Sequence, residues 1–282
     1  MWGPCNTGPV AVESQIVTIH DTAVLEHPEW FSTGFVRVYR VMWNLLARRA
    51  LHFTTVSEYS KSRLSHILSI PESRIDVIYN GVSDEFAPVS EERTEAVARD
   101  YGAGFRGYFV TLCTLEPRKN LSLVLKAWQL AENRLPERTK LLVVGAAGAS
   151  RIFRTPDEQT HSTDRVIFTG YVPDASLPPL LSGAIATLYP SLFEGFGLPV
   201  LEAMACGGTV VTTNRTSLPE VGGDAVIYAD AENAAALADL MIRLAESPRM
   251  REEYSARALQ RAARFGWEES ASQMDTLFRR FL

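Results

Sequence analysis

Residues 184–202 read Ala184-Ile-Ala-Thr-Leu-Tyr-Pro-Ser-Leu-Phe-Glu194-Gly-Phe-Gly-Leu-Pro-Val-Leu-Glu202, and this stretch decides the fold. Its opening run, 184–189, is short and apolar and is closed by Pro190, the mark of a buried strand. Pro199 suits the first position of a helix, where its ring presets φ and its missing N–H costs nothing. Gly207 and Gly208 end that helix. The layout is strand, loop, helix, and in an open α/β sheet ligands bind at the carboxyl ends of strands, where such loops sit.

The loop carries the chemistry. Gly195 and Gly197 let backbone N–H groups approach a ligand that a Cβ would hold away. Those amides, with the helix N-terminus behind them, favour anionic or hydroxyl-rich groups. Glu194 lies on the loop within reach of a polar substrate, and Glu202, about one turn into the helix, faces the same crevice. The plain alternative is a solvated Glu194 and a helix-start Glu202 favoured by the dipole. The Gly-Phe-Gly-Leu-Pro insert weighs against that alternative.

Outward from this stretch, strands and helices alternate, which implies parallel sheets with right-handed crossovers. Strands are expected at 15–20, 52–57, 75–79, 107–112, 140–144, 166–168, 184–189, 209–213 and 225–228. Helices are expected at 58–68, with Ser57 as N-cap, and at 121–132, 199–206, 231–246, 249–264 and 267–281. Asn80-Gly81 reads as a turn and Val82–Pro88 as a linker between two halves. The stretch 31–50 has helical spacing and holds Trp43, Phe35, Tyr39, Arg37, Arg40, Arg48 and Arg49. It reads as core with a solvated basic edge, or alternatively as a contact with a membrane surface.

A chain of 282 residues has room for two domains. Its 46% hydrophobic and 22% charged residues are those of a globular protein. A net charge of −5 argues against a nucleic-acid partner. Cys5, Cys113 and Cys206 are far apart and odd in number, which points to a reducing, cytoplasmic compartment. No apolar run reaches the ~18–20 residues of a membrane span. No Asp-x-Asp or metal-ligand spacing occurs, so no metal cofactor is expected.

The stretch Val166–Tyr228 closely resembles the C-terminal domain of the family 4 retaining glycosyltransferases, with Glu194 and Glu202 as that family's two glutamates separated by seven residues. The resemblance continues through Val17-Thr-Ile-His20-Asp21, Thr55-Val-Ser-Glu-Tyr-Ser-Lys61, Asn80-Gly-Val82 and Leu115-Glu-Pro-Arg-Lys-Asn120, nearly the whole chain. It implies an α/β GT-B fold, two Rossmann-like domains facing across a cleft, with the N-terminal one apparently truncated. Residues 1–88 would be a partial acceptor-side domain and 89–266 the nucleotide-sugar-binding domain, with the helix at 267–282 placed to pack back on the first. The first half is shorter than the family's and lacks a glycine-rich opening, so an internal start, a split gene and a degraded relative all stay open.

The resemblance also implies roles. Without a metal, cationic groups and helix N-termini must neutralise a diphosphate. Lys119 falls on the phosphates, and Arg118 substitutes for an arginine that relatives carry near position 114. Glu202 accepts from the ribose hydroxyls, and Glu194 lies near the transferred sugar. The backbone of Phe196, Gly197 and Leu198 holds sugar hydroxyls and a phosphate oxygen. Tyr171 and Val172 meet the nucleobase through their backbone, or else Tyr171 is partly buried core. His20 contacts the donor sugar across the cleft, a role suited to a ring that donates or accepts near neutral pH. Ser57, Glu58 and Lys61 read as a helix cap and first turn. Glu220 matches a recurrent family position of uncertain role, and His27, His52, His66 and His161 have no such context.

The activity implied is transfer of a hexose, mannose before others and from GDP-mannose before UDP sugars, to a glycan or lipid-linked acceptor, with retention at the anomeric carbon. Catalytic residues would be Glu194, His20 and Lys119. Peripheral contact with the inner membrane follows if the acceptor is lipid-linked. The alternatives are another GT-B enzyme, such as an epimerase or phosphorylase, and a non-catalytic nucleotide-sugar-binding scaffold that needs a separate N-terminal half.

Overall fold

The chain is described here by a computed structural model covering residues 1–114, 116–145 and 164–281. Leu115 and His161 therefore lie outside the described residues. Two parallel sheets carry the architecture. The first has the order β1 (Trp2–Gly3), β2 (Ile16–Thr18), β3 (His52–Thr55) and β4 (Ile75–Val77). The second has six strands: β5 (Tyr108–Leu112), β6 (Lys140–Val144), β7 (Val166–Gly170), β8 (Ala186–Tyr189), β9 (Val210–Thr212) and β10 (Ile227–Tyr228). Their spatial order is β10-β9-β8-β5-β6-β7. The chain thus starts in the middle, at β5, runs outward to β7, returns to β8 and runs outward the other way. The gap between β5 and β8 is the topological switch point, where open α/β sheets bind ligands.

The helices are α1 (Ala23–Glu26), α2 (Thr33–Arg49), α3 (Glu58–Leu68), α4 (Glu91–Asp100), α5 (Leu121–Ala131), α6 (Leu177–Gly183), α7 (Leu198–Ala205), α8 (Leu218–Gly222), α9 (Ala234–Glu246), α10 (Pro248–Ala262) and α11 (Trp267–Phe281). Strand alternation sorts the second sheet's side chains between two faces. Tyr108, Val110, Leu142 and Val144 pack with α6, α7 and α10, while Phe109, Leu141 and Val143 pack with α5 and α9. Several strands are shorter than the sequence suggests. Val56 and Ser57 leave β3 to start α3, and Ile185 precedes β8. β1, α1, α4, α6 and α8 were not anticipated. The Pro178-Pro179 pair occupies the first turn of α6, where missing N–H groups are tolerated.

The two sheets are joined by crossing segments and interlocked by side chains. Val82 N–H donates to Phe265 O at 3.1 Å, so the passage out of the first half runs beside the passage back. Beyond it α11 returns to the first sheet. Phe278 meets Trp2 with ring centroids 5.6 Å apart, Phe281 lies 4.9 Å from the His52 ring, and Ser270 Oγ donates to Tyr79 O at 2.6 Å. Phe193, from the loop after β8, is buried among the first sheet's core residues, while Val56 from the first half is buried in the core of the second.

Candidate active site

Two loops leave the switch point side by side. After β5 the chain makes a 3-10 turn, Pro117–Lys119, and enters α5 through Asn120 in a left-handed conformation (φ 55°), which asparagine tolerates better than most residues. After β8 it runs from Pro190 to Gly197 and enters α7. The loops are stitched together. Leu192 N–H donates to Arg118 O at 2.7 Å, the Ser191 hydroxyl lies 2.9 Å from the same oxygen, and Asn120 Nδ2 donates to Pro190 O and Ala231 O at 3.2 and 2.9 Å.

This stitching places Arg118 and Lys119 on Glu194. Lys119 Nζ donates to Glu194 Oε1 at 2.7 Å and also to the Tyr189 hydroxyl. Tyr189 and Ser191 hydroxyls donate to the same oxygen at 2.8 and 2.7 Å. Arg118 gives one guanidinium nitrogen to Glu194 Oε2 at 3.0 Å and its Nε to Glu116 at 2.7 Å. Burial by itself raises the Glu194 carboxyl. The charges of Lys119 and Arg118, with hydrogen bonds from Lys119 and Ser191, outweigh it and hold the group down at about 2. Burial and the Glu194 charge push the Tyr189 phenol well above its usual range. The structure thus revises the expectation of a loop carboxylate open to substrate: Glu194 is only 6% exposed and anchors two cations. Glu116, Tyr189 and Ser191 had no role in the sequence reading. A tyrosine ending a buried strand directly before the loop was the signal available.

Gly195 touches the first half. A Cβ there would lie 2.4 Å from His20 O and 2.9 Å from Asp21 Cβ, so only glycine permits this approach. Its carbonyl accepts from Ser57 Oγ at 2.7 Å and Ser60 Oγ at 3.3 Å, and Ser57 Oγ in turn accepts from Ser60 N–H at 3.0 Å, the expected cap of α3. His20 ends near this contact, its Nε2 3.1 Å from Pro4 O, and it lines a cavity of about 550 Å3 between the first sheet and α11. Glu220 reaches across from α8. Its two carboxylate oxygens accept the N–H groups of Glu58 and Tyr59, both at 2.8 Å, and the Tyr79 hydroxyl at 3.1 Å.

On α7, Glu202 is part-buried, and its carboxyl is pushed up to about 6, first by burial and then by the nearby Asp174 carboxylate. Gly197 (φ 107°) turns the chain into α7, and among the described hydrogen bonds none uses the amides of Phe196, Gly197 or Leu198. The Phe196 ring itself is core, 6.0 Å from Tyr79 and 5.9 Å from Phe265. At the end of β7, Val172 is buried while Tyr171 is 75% exposed, so the core alternative for Tyr171 is set aside. Among the described residues no group of three or more His, Cys, Asp or Glu is placed to hold a metal ion, and no helix is long and apolar enough to cross a membrane.

Comparison with known proteins follows the two halves. Residues 105–261 match the family model for glycosyl transferases group 1, and residues 14–86 that for glycosyltransferase family 4. The chain is 34% identical over 272 residues to the O-antigen chain mannosyltransferase B of Escherichia coli, covering 96% of this chain and 71% of that protein. It is 30% identical over 228 residues to the serotype-specific mannosyltransferase WbdA of E. coli, covering 79% of this chain and 28% of that one. The solved structure of Anabaena HepE in complex with UDP and glucose superposes with a TM-score of 0.76 at 20% identity, over 94% of this chain and 71% of that one. That likeness speaks to the fold, which is GT-B.

Proposed function

We propose that this chain, which belongs to the group 1 glycosyl transferases, moves a hexose, mannose before others, from a nucleoside diphosphate sugar to a hydroxyl of a glycan or lipid-linked acceptor with retention. The observation that carries this reading is the meeting of Arg118 and Lys119 on Glu194, in the loop that leads into α7, at the switch point of the six-stranded sheet. The two E. coli relatives named above are mannosyltransferases, which favours mannose.

In this reading Lys119 and Arg118 neutralise the diphosphate, aimed by the Glu194 carboxylate they share. The unused amides of residues 196–198 hold sugar hydroxyls and a phosphate oxygen. Glu202 accepts from the ribose diol, and the backbone at Tyr171 and Val172 meets the base. His20 contacts the donor sugar from the first half. The bond from the anomeric carbon to the phosphate oxygen breaks, the acceptor oxygen bonds to that carbon on the same face, and the acceptor proton leaves with the diphosphate. The chain's contribution is orientation and charge stabilisation. No metal is assigned a part in this scheme.

The peripheral membrane contact belongs to the same reading. The aromatic rings of α2 turn inward, but its outer face exposes Val38 (61%) and Val41 (58%) among Arg37, Arg40, Arg48 and Arg49, with no acidic residue on the helix. Such a face suits an anionic lipid surface. Sedimentation with anionic but not neutral vesicles is expected, and equal behaviour with both removes this contact.

The deciding experiment is calorimetric titration of the full chain with GDP, UDP, GDP-mannose and UDP-glucose, alongside Glu202→Ala. Binding of one nucleotide family, lost in the variant, is expected. A folded chain that binds none of the four overturns the donor-site assignment and leaves the scaffold alternative.

A further inference from the structure

A second, smaller cavity of about 160 Å3 lies between the loop after β2 and helix α2, on the first sheet's side of the switch point. One wall is a ladder of rings at four-residue spacing along α2. Phe35 and Tyr39 have centroids 4.4 Å apart, and Tyr39 and Trp43 5.3 Å apart. The other wall presents three polar groups, Asn6, Asp21 and Arg118. Each spends part of its bonding capacity within the chain. Asn6 Oδ1 accepts from His20 N–H at 2.7 Å, which directs the amide NH2 elsewhere. Asp21 Oδ1 accepts from Ala23 N–H at 2.9 Å, and Oδ2 receives no hydrogen bond among the described residues. Arg118 commits Nε to Glu116 and one terminal nitrogen to Glu194, and its other terminal nitrogen makes no hydrogen bond among the described residues.

We propose that this cavity is an acceptor subsite for a single pyranose ring, packed against the partly exposed Phe35 and Tyr39 rings with its hydroxyls held by Asp21, Asn6 and Arg118. A pyranose has an apolar C–H face and a rim of hydroxyls, each both donor and acceptor. The cavity offers aromatic faces for the first and, for the second, a carboxylate oxygen, an amide donor and a guanidinium donor. Its size excludes a nucleotide, since sites for drug-sized ligands run to about 300–1,000 Å3. Its position suits transfer, because Arg118 belongs to both this wall and the Glu194 cluster. Burial raises the Asp21 carboxyl against the pull of Arg118, a cost that a hydroxyl donor relieves.

This inference rests on the transferase reading, so its test reports on both. The full chain is titrated with methyl α-D-mannopyranoside by saturation-transfer NMR, with and without saturating GDP or UDP. The monosaccharide is expected to bind with the nucleotide present. Asp21→Asn and Tyr39→Ala should each weaken it ~10-fold or more, the loss of one charged hydrogen bond or one stacking face. Val24→Phe, which fills the cavity, should abolish it, while retained nucleotide binding shows that each variant is folded. Nucleotide binding without monosaccharide binding, or monosaccharide binding that none of the three variants changes, overturns the subsite and leaves the donor site standing. Binding of neither ligand overturns the transferase reading and the subsite with it.

Discussion

At the scale of single residues, the two glutamates of one short motif have opposite electrostatics. Glu194 is held down at about 2 by two cations it accepts from, and Glu202 is pushed up to about 6 by burial beside Asp174. A lowered carboxyl contributes stability that is present above its ordinary value near 4.5 and lost as pH falls toward 2. Glu194→Gln also removes the carboxylate charge that Lys119 and Arg118 share, so a loss of about 3 kcal/mol or more is expected at pH 7, shrinking toward zero near pH 2. Urea unfolding of both proteins across that range checks it. For Glu202 the sign reverses, because a raised carboxyl costs stability as pH climbs from about 4.5 through about 6. Glu202→Gln should therefore equal the parent chain below pH 4.5 and exceed it by about 1–2 kcal/mol at pH 8 while losing nucleotide binding. A variant less stable than the parent at pH 8 refutes a carboxyl raised by burial beside Asp174.

At the scale of elements, the helix starts do more than begin helices. Ser57 caps α3 and its hydroxyl donates to Gly195 O, so one side chain starts a helix of the first half and holds the glycine loop of the second. Ser57→Ala should cost about 1–2 kcal/mol, a cap plus a buried carbonyl left without its donor. A loss under about 0.5 kcal/mol by chemical denaturation would reduce Ser57 to an exposed cap. The cap itself was legible in Ser57-Glu58, as was α7 in Gly197-Leu-Pro199. α2 was legible as a helix, but which way its rings turn was not. Phe35, Tyr39 and Trp43 at four-residue spacing mark one face, and only the loop after β2 packing there makes that face interior.

At the scale of the whole molecule, the halves are held by contacts between residues far apart in the chain. Glu220 caps the N-terminus of α3 from across the cleft, satisfying two amides that a helix leaves unpaired. Arg261 donates to Val221 O at 3.0 Å and also to Glu220 O, bracing the helix that carries it. Glu220→Ala should speed hydrogen exchange at Glu58 and Tyr59 by ~10-fold, the equivalent of about 1.4 kcal/mol of closing energy. Glu220→Gln, which retains one acceptor, should show a smaller effect. Unchanged exchange in both variants would mean that the halves are held together without this cap. Phe193 and Val56 add packing of the same kind, each buried in the other half's core.

The sequence alone determined the parallel α/β layout, the strand–loop–helix around Glu194, and the cluster of Arg118 and Lys119 at a helix start. Each of these depends on neighbours within a turn or a strand, where the 2.0 and 3.6 residue periods act. The tertiary structure decided which groups those residues meet. Lys119 finds Glu194 at a separation of 75 residues, and Glu58 finds Glu220 at 162. A carboxylate's charge state and use follow from such partners and from burial, and no local period encodes either, which is why the loop position of Glu194 held no sign of the two cations it anchors.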